Sequence, residues 1–275
     1  MRACRRVSAG STEHTGETGG WGCRWLEAPS PGAAPVVYVH GVPNTAAVWR
    51  PFLERTGGLA PDLPGFGESA KPAAFDYSIA GLSGWLKSFL ADRGVERYSL
   101  VAHDWGALAL ALAQAEPGRV ERLVLLDAVP LLPGYEWHKL ARQWRRPLVG
   151  EMAMGFTFKF VTRRLLRLPD GSDFPAEELD DIWDHFDHGT QRAILRLYRS
   201  APPRALEAAG ADLGKLTCPA LVVWGDTDPY LPTSFAHDYA AALGGPAEVD
   251  VVEGAGHWPW IGHPEVVDRV AAFLA

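Results

Sequence analysis

At 275 residues, with a net charge of −7, the chain is long enough to bury a full core as one domain carrying an insertion. Charged residues at 21% and hydrophobic ones at 47% are the balance of an ordinary soluble globular protein. The acidic excess gives no reason to expect nucleic acid or an anionic membrane as a partner, and it suits a small neutral substrate.

The chain starts with MRACRRVSAGSTEHTGETGG, basic at first and then rich in Gly, Ser and Thr. It lacks the apolar segment of a signal peptide, and no run approaches the length of a membrane span. The reading is a frayed start on a cytoplasmic protein. Cys4, Cys23 and Cys218 show no metal-ligand or C-x-x-C spacing, so idle or buried thiols in a reducing compartment are expected.

Alternating elements follow. VVYVHG (36–41) is a short apolar, β-branched run stopped by glycine, the pattern of a buried strand. After a turn with Pro43, an amphipathic stretch runs through Trp49, Phe52 and Leu53. GLAPDLPGFGES (58–69) reads as a brief strand that breaks into a Gly/Pro turn. Over 78–94 the spacing places Ile79, Leu82, Trp85, Leu86, Phe89 and Leu90 on one helical face, with Gly94 as the stop. RYSLVAH (97–103) is a strand, 107–118 the helix leaving it, and 120–130 another buried strand.

The rhythm then changes. Residues 131–205 carry Trp137, Trp144, Phe156, Phe158, Phe160, Trp183, Phe186 and Tyr198 among many arginines, at helical spacing. Strand and helix alternate again through 218–229, a helix around 233–243, a strand over 247–254 and a last helix from Pro264. The pattern predicts an α/β fold whose mostly parallel sheet is covered on both faces. Residues 1–130 and 206–275 form its core, and 131–205 an inserted helical cap.

Ligands of such sheets bind at the carboxyl ends of the strands, and three chemical groups fall there. Val101-Ala102-His103-Asp104-Trp105-Gly106-Ala107 joins a strand directly to a helix, with small residues two before and two after Asp104. Such a tight turn exposes its central side chain in a strained conformation and usually centres on serine. Trp224-Gly225-Asp226-Thr227-Asp228-Pro229 and Gly254-Ala255-Gly256-His257 end two later strands of this pattern. An aspartate at a strand end is often only a helix cap, but nucleophile, acid and histidine here follow the chain order of an α/β-hydrolase.

These motifs, with His40-Gly41-Val42-Pro43, the DLPGFGES turn and AGHWPW, resemble the α/β-hydrolase superfamily, and within it the epoxide hydrolase and haloalkane dehalogenase branch. The likeness covers about 36–130 and 218–275; the cap matches poorly, and Ala102 stands where the elbow usually has glycine. The resemblance implies Asp104 as nucleophile, Asp228 as charge partner and His257 as the base that activates water. It places the oxyanion hole at the backbone N–H groups of Val42 and Trp105. Asp127, at the end of the strand before the cap, is the alternative acid.

A carboxylate that attacks an ester or amide carbonyl would form an anhydride. Attack on an sp³ carbon with a leaving group instead gives an ester that activated water can hydrolyse. The leaving group is then a strained ether oxygen or a halide. Tyr198, in Leu197-Tyr198-Arg199, resembles the second cap tyrosine of the epoxide hydrolases, and Tyr135 is the candidate for the first. A halide needs N–H donors, which Trp105 and either Trp137 or Trp144 would supply; Val42 has none where many dehalogenases carry Asn. Epoxide hydrolysis leads, dehalogenation is the alternative, and a ligand-binding member without turnover is the remote one. Neither chemistry asks for a metal or cofactor. Asp226 is expected in a loop role, His40 and His103 in structural ones, and Asp181, Asp184, His185 and His188 on a solvated cap face rather than around a metal.

Overall fold

A computed structural model describes residues 5–6 (backbone only), 10–32, 34–157, 159 and 174–275; Cys4, Phe158 and Phe160 lie outside the described residues. Among the described residues nine strands form one sheet, in the order β1-β2-β3-β5-β4-β6-β7-β8-β9. They are β1 (Arg5–Arg6), β2 (Thr12–Thr18), β3 (Trp21–Ala28), β4 (Val36–Val39), β5 (Gly58–Pro61), β6 (Tyr98–Asp104), β7 (Val120–Ala128), β8 (Ala220–Gly225) and β9 (Ala247–Val252). β1, β2, β3 and β5 pair antiparallel; β5, β4, β6, β7, β8 and β9 run parallel.

The central strands β4, β6 and β8 are buried at every position, as continuous apolar runs require when helices cover both faces. One face packs on α2 (Ile79–Asp92) through Leu82, Trp85, Leu86 and Phe89. The other packs on α1 (Arg50–Thr56) and the C-terminal helix α10 (Glu265–Leu274), through Phe52, Val266, Val267 and Val270. Ser78 caps α2 by accepting the Gly81 N–H, which places its start one residue inside the expected span.

The N-terminus departs from expectation. Thr12–Thr18 is a strand, not a frayed tail, paired antiparallel with Trp21–Ala28. Its β-branched threonines suit a strand, and Gly19 and Gly20, with φ of 60° and 81°, make the two-residue turn that matches strand twist. The low hydrophobicity of β2 hid it, because only one of its faces needs to be apolar.

Between β7 and β8 the described chain forms α4 (Lys139–Trp144), α5 (Val149–Gly155), α6 (Ala176–Asp184), α7 (His188–Ser200) and α8 (Pro203–Ala209). Links tie this helical stretch to the core: Thr45 Oγ1 donates to Asp181 at 2.5 Å, Thr190 Oγ1 to the Gly65 carbonyl at 2.9 Å, and Lys71 pairs with Asp187 at 2.9 Å. Asp184 and His188 are exposed as expected, whereas Asp181 and His185 are half-buried, because Asp181 accepts that bond from the core. No helix among the described residues is long and apolar enough to cross a membrane.

The DLPGFGES turn is built around one buried anion. Asp62 accepts the N–H groups of Ala46 at 2.7 Å and Glu68 at 3.0 Å and faces the buried Arg24 guanidinium at 3.4 Å. Gly67 must be glycine, since a Cβ there would sit 2.2 Å from Asp62 Oδ2. Asp62→Ala would strand these donors and a buried cation. It should lower the unfolding free energy by about 3 kcal/mol, read from a urea titration.

Candidate active site

Asp104 is the last residue of β6 and takes φ 51°, ψ −121°, a conformation rare for a side-chain-bearing residue. It is not a helix cap: no cap hydrogen bond forms from its side chain to the following turn, Trp105–Leu108. The elbow closes because its neighbours are small. A Cβ at Gly106 would meet the Val39 carbonyl oxygen at 2.0 Å, and one at Gly41 would meet Asp104 Oδ1 at 2.3 Å. Ala102, in place of the usual glycine, is accommodated in the core.

The two carboxylate oxygens of Asp104 have different surroundings. Oδ1 accepts the Val42 N–H at 2.7 Å, while Oδ2 faces His257 Nε2 at 3.5 Å. The Trp105 backbone N–H, the second expected oxyanion donor, makes no such bond in this resting geometry. His40 fixes the Val42 turn: its Nε2 accepts the Leu63 N–H at 3.0 Å, so its Nδ1–H donates to the Gly41 carbonyl at 2.8 Å. Burial holds this ring below the usual histidine range, as a structural neutral imidazole requires.

His257 is joined to Asp228 by a 2.7 Å contact between Nδ1 and Oδ2. The other Asp228 oxygen accepts the N–H groups of Tyr230 at 2.7 Å and Leu231 at 3.0 Å. Asp228, not Asp127, is therefore the acid in contact with the imidazole. Burial opposes charge on both partners, but the ion pair overrides it. Asp228 is held below the carboxylate range, and Asp228 together with Asp104 pushes His257 up to about 10. Behind it, His103 donates from Nε2 to the His257 carbonyl at 2.7 Å; burial and the neighbouring imidazole lower this ring to about 3. Asp226 accepts the Gly254 N–H at 2.8 Å, the expected loop role. Asp127, Asp228 and His257 present ligand-type atoms within 4.8 Å of one another; Asp228 and His257 pair with each other, and Asp127 accepts the Gly225 N–H at 3.1 Å.

These groups open onto a cavity of about 250 Å³. Asp104, His257 and Val42 lie at its base, and Trp137, Trp144, Ile182, Trp183, Phe186 and Ile194 form walls contributed by the helical stretch. Tyr198 lines it too, its ring 4.9–5.1 Å from those of Trp105, Trp137 and Trp144. Burial first, and then the Asp104 charge, hold its hydroxyl well above the usual phenol range, so it stays a donor. Trp105 is buried against Trp137, and its indole N–H has no well-formed partner. Trp137 supplies a wall but no free donor, because its N–H is committed to the Ala201 carbonyl at 2.8 Å. Tyr135 lies beneath the wall against Trp137 and Phe235, its buried hydroxyl without a partner. Two lining residues had no signal in the spacing. Tyr230 packs edge-on to His257 at 5.1 Å, and His138 accepts the Ala141 N–H at 3.4 Å through Nδ1, lowered by burial to about 4. A neutral His138 therefore carries its proton on Nε2.

Fold, elbow and ion pair together define a hydrolase of the α/β class, and the chain belongs to the alpha/beta hydrolase family, whose profile matches residues 36–270. It is 30% identical to epoxide hydrolase A of Mycobacterium tuberculosis, over 96% of this chain and 97% of that protein. Among solved structures, haloalkane dehalogenase DbeA of Bradyrhizobium elkani superposes with a TM-score of 0.80 at 28% identity, covering 96% of this chain and 97% of that one. Epoxide hydrolase A of Mycobacterium thermoresistibile gives 0.77 at 26% identity, over 96% and 98%.

The electrostatics can be checked without a substrate. Asp104→Asn removes one of the two carboxylates that raise His257, so the imidazole midpoint should fall below its value of about 10. Nitrogen-15 NMR of the imidazole reads this directly; an unmoved midpoint would mean that Asp104 exerts no field on His257.

Proposed function

We propose that this protein hydrolyses small apolar epoxides to vicinal diols through an ester on Asp104, with residues 131–205 as the cap over the reacting atoms. The observation that carries this reading is a carboxylate at the elbow, one oxygen on the Val42 N–H at 2.7 Å and the other facing His257 at 3.5 Å. Oδ2 is the attacking oxygen. It displaces the epoxide oxygen from carbon while Tyr198 donates to the opening alkoxide. Oδ1 becomes the ester carbonyl, already held by the donor that will stabilise the next intermediate.

The proton balance closes. In the resting site His257 holds its proton between Asp104 and Asp228. Esterification neutralises Asp104, so the imidazole releases that proton, which satisfies the new alkoxide. The neutral ring then takes a proton from water as the water attacks Cγ of the ester, and Asp228 stabilises the imidazolium. Collapse of the tetrahedral intermediate releases the diol and restores the starting charges. The net reaction is epoxide plus water giving diol, with no cofactor.

Dehalogenation is the second reading, favoured by the Trp105 N–H beside the nucleophile, which has no well-formed partner. It is the weaker one because Trp137 has no N–H to offer a halide and Val42 no side-chain donor; Trp144, on the cavity wall, is the remaining candidate for a second N–H.

His257→Gln separates the steps. Attack survives, since Asp104 is kept and Tyr198 still donates to the opening oxygen, while ester hydrolysis stalls. Mass spectrometry should find an adduct on the peptide carrying Asp104, equal to the whole substrate for an epoxide and to the alkyl group less one hydrogen for a bromoalkane. No adduct across a mixed panel would remove Asp104 as nucleophile. Adducts from bromoalkanes alone would exchange the two readings.

Tyr198→Phe should slow ester formation from epoxides by roughly a hundredfold, the order of a general-acid contribution. Bromoalkanes should respond much less, since a departing halide takes no proton. Stopped-flow rates for both classes make the comparison.

A further inference from the structure

The steps above leave Asp127 without a task. It lies in β7 at full burial, with φ 37°, a left-handed value that favours glycine. Its oxygens lie 3.1 and 3.3 Å from the Gly225 N–H, and it faces Asp228 and His257 with ligand-type atoms of all three within 4.8 Å. Asp228 already uses one oxygen on the Tyr230 and Leu231 N–H groups and the other on His257. A second bare carboxylate at this distance, away from water, would be repelled by the first, and one backbone N–H is too little to hold it there. A proton between the two acids turns that repulsion into a hydrogen bond.

We propose that Asp127 is a positioning residue, a neutral carboxylic acid whose O–H donates to Asp228 and holds that carboxylate on His257 Nδ1. Its surroundings agree. Burial, followed by the charge of Asp228 and a hydrogen bond with it, keeps Asp127 well above the usual carboxylate range, and the same bond helps hold Asp228 down. Asp228 gains an oriented donor without the site gaining a further negative charge. The kinetic half of this inference rests on the proposed hydrolase reading; the protonation half does not.

The test has a spectroscopic and a kinetic arm. Infrared difference spectra of wild type against Asp127→Asn, without substrate at neutral pH, should show the carbonyl band of one protonated carboxylic acid, lost in the variant and shifted in heavy water. Absence of that band overturns the proposal, whatever the enzyme's reaction. In single turnover, asparagine still donates an N–H to Asp228 and accepts from Gly225, whereas leucine does neither. Ester hydrolysis should fall a few-fold in Asp127→Asn and about tenfold further in Asp127→Leu, the order expected for losing a hydrogen bond to a charged group. The rate of ester formation should move in neither. Equal losses in the two variants would mean that Asp127 acts as an anion, and unchanged hydrolysis in both would mean that it positions nothing; either sinks the idea. Should Asp127→Leu fail to fold, the infrared band decides alone.

Discussion

A carboxylate held at a backbone angle that side chains rarely adopt is the constraint on which this molecule is organised. At φ 51° Asp104 carries strain on the order of 1–3 kcal/mol, which surrounding structure has to offset. Part of the offset is visible: β6 is buried along its whole length between β4 and β7, and the Asp104 carbonyl accepts the Val129 N–H at 2.9 Å. The rest is steric. Gly41 and Gly106 are bare where any Cβ would collide with Asp104 or with the Val39 carbonyl. A relaxed aspartate would turn back to cap the helix that follows; this one projects into the cavity.

Charge is the second constraint. The side chains of Asp104, Asp127, Asp228 and His257 are almost wholly buried, where unpaired charges are expensive. The imidazole answers by keeping its proton at rest, up to about 10, because two carboxylates want it. In the proposed cycle this is useful rather than inhibitory. The first chemical step neutralises one of those carboxylates, so His257 becomes a base only after an ester exists to be hydrolysed.

The helices between β7 and β8 supply most of the cavity wall. Their contribution to the cavity is mostly aromatic and aliphatic, with His138, Thr157 and Tyr198 as its polar members, and Trp137 has its N–H committed to Ala201. A polar or charged substrate would lose hydration here with little in return. A small apolar molecule needs only a polarisable leaving atom near Tyr198 and Trp105.

The sequence by itself determined the alternation of strands and helices, the inserted helical stretch, and the three strand ends at which Asp104, Asp228 and His257 sit. Those are local properties: runs such as VVYV and LVVWG can only be buried strands, and HDWG is too tight for anything but a turn with its central side chain exposed. What tertiary structure alone decided is which groups meet. Asp127 and Asp228 end neighbouring strands and look equivalent in one dimension; the register of β7 against β8 puts one on the imidazole and the other behind it. The same holds for the helices between β7 and β8. Nothing local told that the Trp137 N–H would reach Ala201 or that His138 and Tyr230 would line the cavity, because each depends on how helices far apart in the chain come to pack over the sheet. The β2 strand was missed for a related reason. A half-exposed strand carries little hydrophobic signal, and its pairing partner, not its own composition, makes it one.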